Sequence, residues 1–114
     1  MIRSTRNHGF QMQFANGITI SVQFGVSNYC SNKSMDAQVR LAEMSNETIP
    51  ALLESPDAEI AIWDSNDHWY DFGNDTVKGY CSADEVAAWI DAAAMAKDIH
   101  FQSPANWKFT NLYS

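Results

Sequence analysis

The alternation of apolar and polar residues on either side of Asn16-Gly17 is the feature that most constrains this chain. Phe10, Met12 and Phe14 alternate with Gln11, Gln13 and Ala15; beyond the turn, Ile18, Ile20 and Val22 alternate with Thr19, Ser21 and Gln23. Period two on both arms is the pattern of a β-hairpin with one buried face. The same pattern decides the register. A two-residue Asn-Gly turn would set Phe14 opposite Thr19 and throw the two apolar sets onto opposite faces. A three-residue loop, Ala15-Asn16-Gly17, sets Phe14 opposite Ile18, Met12 opposite Ile20 and Phe10 opposite Val22, so that all six share a face. The last residue of such a loop is left-handed, a conformation Gly17 adopts without a Cβ clash. The sequence therefore predicts a bulged hairpin.

The other face of that hairpin poses a chemical question. No residue from Gly9 to Asn32 is charged, so the polar side carries Gln11, Gln13, Thr19, Ser21 and Gln23 but neither Lys nor Glu. Neutral hydrogen-bonding groups suit a surface that is covered yet polar, either an interface with another subunit or the lining of a ligand site.

Further along, "AEIAIWD" and "HWYDF" flank Ser65-Asn66-Asp67 and read as a second hairpin, rich in β-branched and aromatic residues. "DTVKGYC" reads as a fifth strand broken by Gly79. Ser82-Ala83-Asp84-Glu85 is a capping box: Ser82 accepts from the Glu85 amide, Glu85 reaches back, and both acids complement the helix dipole. The helix it opens carries Val86, Trp89, Ile90, Ala93 and Lys97 along one side, and Pro104 ends it or a short extension. The closing "NWKFTNLY" is too aromatic to dangle and is expected to pack on the body or on another subunit. Residues 25–35 read as a loop. "DAQVRLAEMS" and "NETIPALLES" read as short helical pieces, the second with Asn46 as N-cap and Pro50 in its first turn. Residues 31–57 as a whole are expected to form a mobile loop or short helices. The fold class that results is α+β: an antiparallel sheet of about five strands, two hairpins plus one strand, covered by a C-terminal α-helix.

Length and composition set the frame around this. The 114 residues, 46% of them hydrophobic and 14 aromatic, suit one folded domain over 1–114. Basic residues near the N-terminus lead into no apolar stretch, and no apolar run approaches a membrane span, so a soluble cytoplasmic protein is expected. The net charge of −7 is unevenly placed. Nine acids and neither Lys nor Arg lie between Arg40 and Lys78, while Arg3, Arg6 and His8 crowd the N-terminus. That balance disfavours long nucleic acid and anionic membranes as partners, and sends any anionic ligand to the N-terminal arginines. Cys30 and Cys81 are expected as two buried thiols.

Signs of catalysis are missing from the sequence. Cys30, Cys81, His8, His68 and His100 form no local triad signature, no glycine-rich loop precedes a helix, and no carboxylate sits in an apolar stretch that would raise its pKa. "DSNDHWYDFGND" fits a calcium loop at Asp64 and Asn66 only, with Trp69 where glycine is needed; Asp64 and Asp71 read as turn acids. Neither a metal nor a cofactor is expected. Ligand binding fits better. Trp63, Trp69, Tyr70, Phe72 and Tyr80 fall on or beside neighbouring strands, and Asn74 and Asp75 follow directly. Aromatic faces with a few polar groups make a base-stacking pocket, although the same aromatics would also serve as the core of a small sheet. Arg3 and Arg6 could answer phosphates bidentately.

Three stretches, "RSTRNHGFQMQFANGITISVQFGVSNYC", "AEIAIWDSNDHWYDFG" and "DTVKGYCSADEVAAWI", together resemble the small phage proteins known as Thoeris anti-defence sponges, and within them the first-described family. The likeness covers residues 3–30 and 58–90. It implies a protein that is not an enzyme. Members bind a cyclic ADP-ribose-type signal made by a host TIR-domain enzyme and withhold it from its effector, in the host cytoplasm. It also implies a homo-oligomer, a dimer or a dimer-based assembly such as a hexamer, with the pocket between subunits. Some members bind cyclic oligonucleotides through basic residues of the C-terminal region, where this chain has only Lys97 and Lys108. The expected ligand contacts are Trp63 with Asn74 and Asp75, joined by Trp69 and Phe72, with Arg3 or Arg6 for phosphate. An alternative of a different class is an acidic protein–protein inhibitor whose nine-acid middle covers a basic site on a host defence or nucleic-acid-binding protein.

Overall fold

The computed structural model describes residues 1–5, 8–25, 28–32 and 54–104. Five antiparallel strands follow one another across a single sheet: β1 (Ile2–Ser4), β2 (Gly9–Gln13), β3 (Thr19–Gln23), β4 (Asp57–Trp63) and β5 (Lys78–Ser82). One helix, α1 (Ala83–Met95), packs on β3, β4 and β5. The fold is α+β, with the helix C-terminal to the sheet.

The first hairpin has the register its alternation predicts. Met12 pairs with Ile20 and Phe10 with Val22. The Phe14 amide donates to the Ile18 carbonyl at 2.9 Å, and Gly17 has φ 87°. The side facing α1 is therefore apolar on each central strand. Ile18, Ile20, Ile60 and Ile62 are at most 1% exposed, and burying an aliphatic side chain of this size contributes about 1.5–3 kcal/mol. Trp89 and Ala93 of α1 close on this layer, while Val86 and Ile90 pack at its margin.

Helix α1 begins as the capping box predicts on one side only. The Ser82 hydroxyl accepts from the Glu85 amide at 3.2 Å, but the Glu85 carboxylate turns to Lys78 Nζ at 3.5 Å instead of reaching back. The helix also stops sooner than Pro104 suggests. Ala96 is already extended, with ψ 146°, so Lys97 lies beyond the helix. The cause is a tertiary cap. Asn16 Nδ2, from the hairpin turn, donates to the carbonyls of Ala93 and Ala96, each at 2.9 Å, and takes up helix-end acceptors that would otherwise be orphaned.

The fifth strand comes from the N-terminus rather than from "HWYDF". Ile2, Arg3 and Ser4 pair with Met12, Gln11 and Phe10. "HWYDF" returns along β4 for a single bridge, Trp63 with Trp69, and then leaves the sheet. Tyr70 and Phe72 turn to the helix side instead. Their rings meet that of Trp89 at 5.4 and 5.0 Å, and the Tyr70 hydroxyl donates to the Phe101 carbonyl at 3.0 Å. β5 takes up the last four residues of "DTVKGYC" and runs on to Ser82, with its register shift opposite Ala58–Ile60 and Tyr80 at φ 56° beside Gly79. Cys30 and Cys81 are both free and buried. The helical pieces expected at 36–45 and 46–55 lie outside the described residues except for Glu54 and Ser55, which are not helical, and the packing of the tail at 106–113 lies outside them altogether.

Candidate functional site

The sheet face turned away from α1 holds the candidate site. Cross-strand pairing sets two rows of side chains on it. One runs Arg3, Gln11, Ser21 and Ala61; the next runs Gln13, Thr19 and Trp63. The small residues fall in the middle, and long ones stand around them. Thr19, Ser21 and Ala61 are 6%, 7% and 9% exposed, hidden by the reach of their neighbours. The result is a depression of about 250 Å³ lined by Arg3, Gln11, Gln13, Thr19 and Trp63 of the strands and by Gly17, Asp64, Ser65 and Asp67 of the turns.

Two parts of this face differ in how their polar groups are satisfied. Near Glu59, Thr5 Oγ1 donates to Gln23 Oε1 at 2.9 Å and Gln23 Nε2 donates to Ser21 Oγ at 3.0 Å. The 28–32 loop is tied down at the same end. The Tyr29 amide donates to Glu59 Oε2 at 3.0 Å and the Ser31 amide to Asp57 Oδ1 at 2.6 Å. In the depression the reverse holds. Among the described residues the side-chain amides of Gln11 and Gln13 and the Thr19 hydroxyl make no protein hydrogen bond. Arg3 meets only the Met1 sulfur, at 3.2 Å, and no carboxylate. Three long polar side chains and one short one thus line the depression with most of their hydrogen-bonding capacity uncommitted among the described residues.

At the β4 end the site is aromatic. Trp63 lines the depression, and Trp69 lies behind it with ring centroids 4.7 Å apart and planes at 33°. The turn between them is built on one carboxylate. Asp64 Oδ1 accepts from the amides of Asn66 and His68, both at 2.9 Å, and Oδ2 lies 3.1 Å from His68 Nδ1. The His68 amide, joined by that of Asn66 and by the His68 ring, holds the Asp64 carboxyl below its ordinary value of 3.8. Asp71 does the same for the next turn, lowered by the amides of Gly73 and Asn74.

The expected site residues thus divide. Arg3 and Trp63 come together on the depression, and Trp69 backs Trp63. Phe72 packs against Trp89 and Tyr70 on the opposite side of the sheet. Asn74 and Asp75 are exposed in the turn organised by Asp71 and take no part in the depression. Arg6 lies outside the described residues. Gln11, Gln13 and Thr19 were visible in the sequence as a neutral face; Asp67 was hidden because it reads as a turn residue.

Other reactive groups are unremarkable in their setting. Burial, with Glu85 nearby, pushes the Cys81 thiol up to about 12, so it stays protonated at neutral pH. His8, His68 and His100 are exposed. Among the described residues no group of His, Cys, Asp and Glu side chains could hold a metal ion, and no helix is long and apolar enough to cross a membrane. Comparison with known protein families, curated proteins and solved structures finds no match.

Proposed function

We propose that this chain binds and sequesters a cyclic ADP-ribose-type signalling nucleotide without cleaving it, acting in the cytoplasm of a host cell as a phage anti-defence sponge. The observation that carries the reading is the depression itself: a guanidinium that meets only the Met1 sulfur, two side-chain amides and a hydroxyl without a protein partner among the described residues, all beside a braced indole. These are the groups a nucleotide needs. An indole offers a face to a base, Arg3 offers paired donors to phosphate, and Gln11, Gln13, Thr19 and Asp67 can meet ribose and base edges. Arg3 and Trp63 sit three strand spacings apart, roughly 14 Å, a span suited to an extended ligand rather than to a single ion.

Size argues for a homo-oligomer. Pockets that bury a drug-sized ligand run about 300–1,000 Å³, so the 250 Å³ offered by one chain is a partial enclosure. A second copy facing this polar surface would complete it. The acidic-inhibitor alternative is weakened by how the acids are used. Asp64, Asp71 and Asp75 accept backbone amides within their own turns, and Asp57 and Glu59 of β4 accept those of Ser31 and Tyr29, so they hold the fold's loops more than they present a charged surface.

The test is thermal unfolding with cyclic ADP-ribose and its glycosidic-linkage isomers, alongside solution mass. A bound isomer at a hundredfold excess over its Kd should raise the midpoint by an amount on the order of 10 °C. The ligand should be recovered chemically unchanged after heat denaturation, and the protein should be at least dimeric. Arg3→Ala should remove most of the shift. No shift with any isomer, or recovery of a cleaved product, overturns the proposal.

A further inference from the structure

We infer that Asp64 is a positioning residue for the aromatic wall of this site, acting through Trp69 on Trp63; the inference rests on the reading above for its ligand, but not for its geometry. Trp63 ends β4, where a large exposed indole would have several rotamers open to it. Only one described ring contacts it. Trp69 reaches that contact because the chain reverses within five residues, and the reversal is held from inside. The Asp64 carboxylate accepts two amides and meets the His68 ring, while the Asp64 amide donates to the His68 carbonyl at 2.9 Å. The Tyr70 amide then donates to the Ile62 carbonyl at 2.7 Å, which sets Trp69 directly across from Trp63.

Asp67 shows that the turn needs such a clasp. It sits at φ 62°, a left-handed conformation that a non-glycine residue adopts at a cost and that surrounding bonds must hold in place. Trp69 itself is 47% exposed and does not line the depression. Its part is to back the Trp63 ring, so that a ligand base meets an indole already in place. Preorganisation of this kind favours affinity because less side-chain freedom is lost on binding.

Two stacked indoles give an exciton couplet in far-ultraviolet circular dichroism, and this reads the geometry without any ligand. Asp64→Ala and Trp69→Ala should each abolish the couplet, with the helical signal and cooperative unfolding retained. Asp64→Asn should restore it, because the amide oxygen can still accept from Asn66 and His68. Cyclic ADP-ribose should bind roughly tenfold or more weakly to Asp64→Ala and Trp69→Ala, the scale of one lost stacking contact, and near normally to Asp64→Asn. A couplet that survives in Asp64→Ala overturns the positioning role. A lost couplet with unchanged binding overturns the link to the ligand. If the wild-type protein gives the couplet but binds no isomer, the functional reading falls and the role of Asp64 in placing Trp69 stands.

Discussion

Thr19 and Ile20 are neighbours on β3 and almost equally hidden, at 6% and 0% exposure, yet different things hide them. Ile20 points to the helix side and is enclosed by other apolar side chains, so its burial is itself a stabilising term. Thr19 points the other way, between its cross-strand neighbours Gln13 and Trp63, and lines the depression with them, with Gln11 and with Arg3; among the described residues no side chain bonds its hydroxyl. One side of the sheet is filled, and the other is hollow. A polar group that is nearly buried and still uncommitted is what a binding surface needs, and it contributes little to the fold.

The largest expected effect tests that contrast directly. Ile20→Ala should cost roughly 2–5 kcal/mol of unfolding free energy, through lost transfer energy and the cavity left under α1. Thr19→Val keeps the shape and removes the hydroxyl, and should leave stability within about 0.5 kcal/mol. It should nonetheless weaken cyclic ADP-ribose by several-fold, the scale of one hydrogen bond. Paired denaturant titrations and binding isotherms separate the two. A Thr19→Val protein destabilised as much as Ile20→Ala would mean that the polar face is structural.

A smaller effect is expected at the place where the two sides are joined. Asn16 sits in the hairpin turn but spends its amide on the end of α1, and its Oδ1 accepts from the Ile18 amide at 3.0 Å. Asn16→Ala should cost about 1–2 kcal/mol, the worth of a helix-end cap with its local turn bond. Hydrogen exchange should show the loss concentrated in the last turn of α1, with Thr19 and Gln13 unaffected. Protection that falls equally on both faces would show that the turn, not the cap, is what Asn16 supplies.

Asn16 also marks where the sequence stops being informative. The hairpin register was legible because period two and one glycine suffice to specify it, and both are local. The helix C-cap was not, because its donor and acceptors are 77 residues apart or more. β1 was missed for a different reason: Ile2-Arg3-Ser4 is too short to show a period, and its pairing with β2 is what brings Arg3 to the site. "HWYDF" misled through composition. Its aromatics have strand propensity, but Asp64 and Asp71 close tight turns on either side, and Trp89 offers Tyr70 and Phe72 a better-buried place. The same turns explain why Trp63 lines the depression while Asn74 and Asp75 lie away from it. Residue type identifies a stacking ring, but nearness in sequence to that ring says little once the chain reverses twice.

The smallest effect separates the two sides by pH. Asp64 has a folded-state pKa below its ordinary 3.8, chiefly because the His68 amide donates to it. Its contribution to the turn is therefore complete above the unfolded-state value and is lost as pH falls through the lower folded-state value. The Trp63–Trp69 couplet should hold from neutral pH down to about 4, then fade below it. The packing of Trp89 against Tyr70 and Phe72 should not follow Asp64: Asp71, which holds the turn after Tyr70 and is likewise lowered, gives that cluster an acid limb of its own that Asp64→Asn leaves in place. Asp64→Asn should flatten the acid limb of the couplet and leave the near-ultraviolet signal of the core unchanged. If the couplet and the core signal titrate together even in Asp64→Asn, the hollow side is not an independent unit, and the contrast between Thr19 and Ile20 would have to be read as one cooperative surface instead of two.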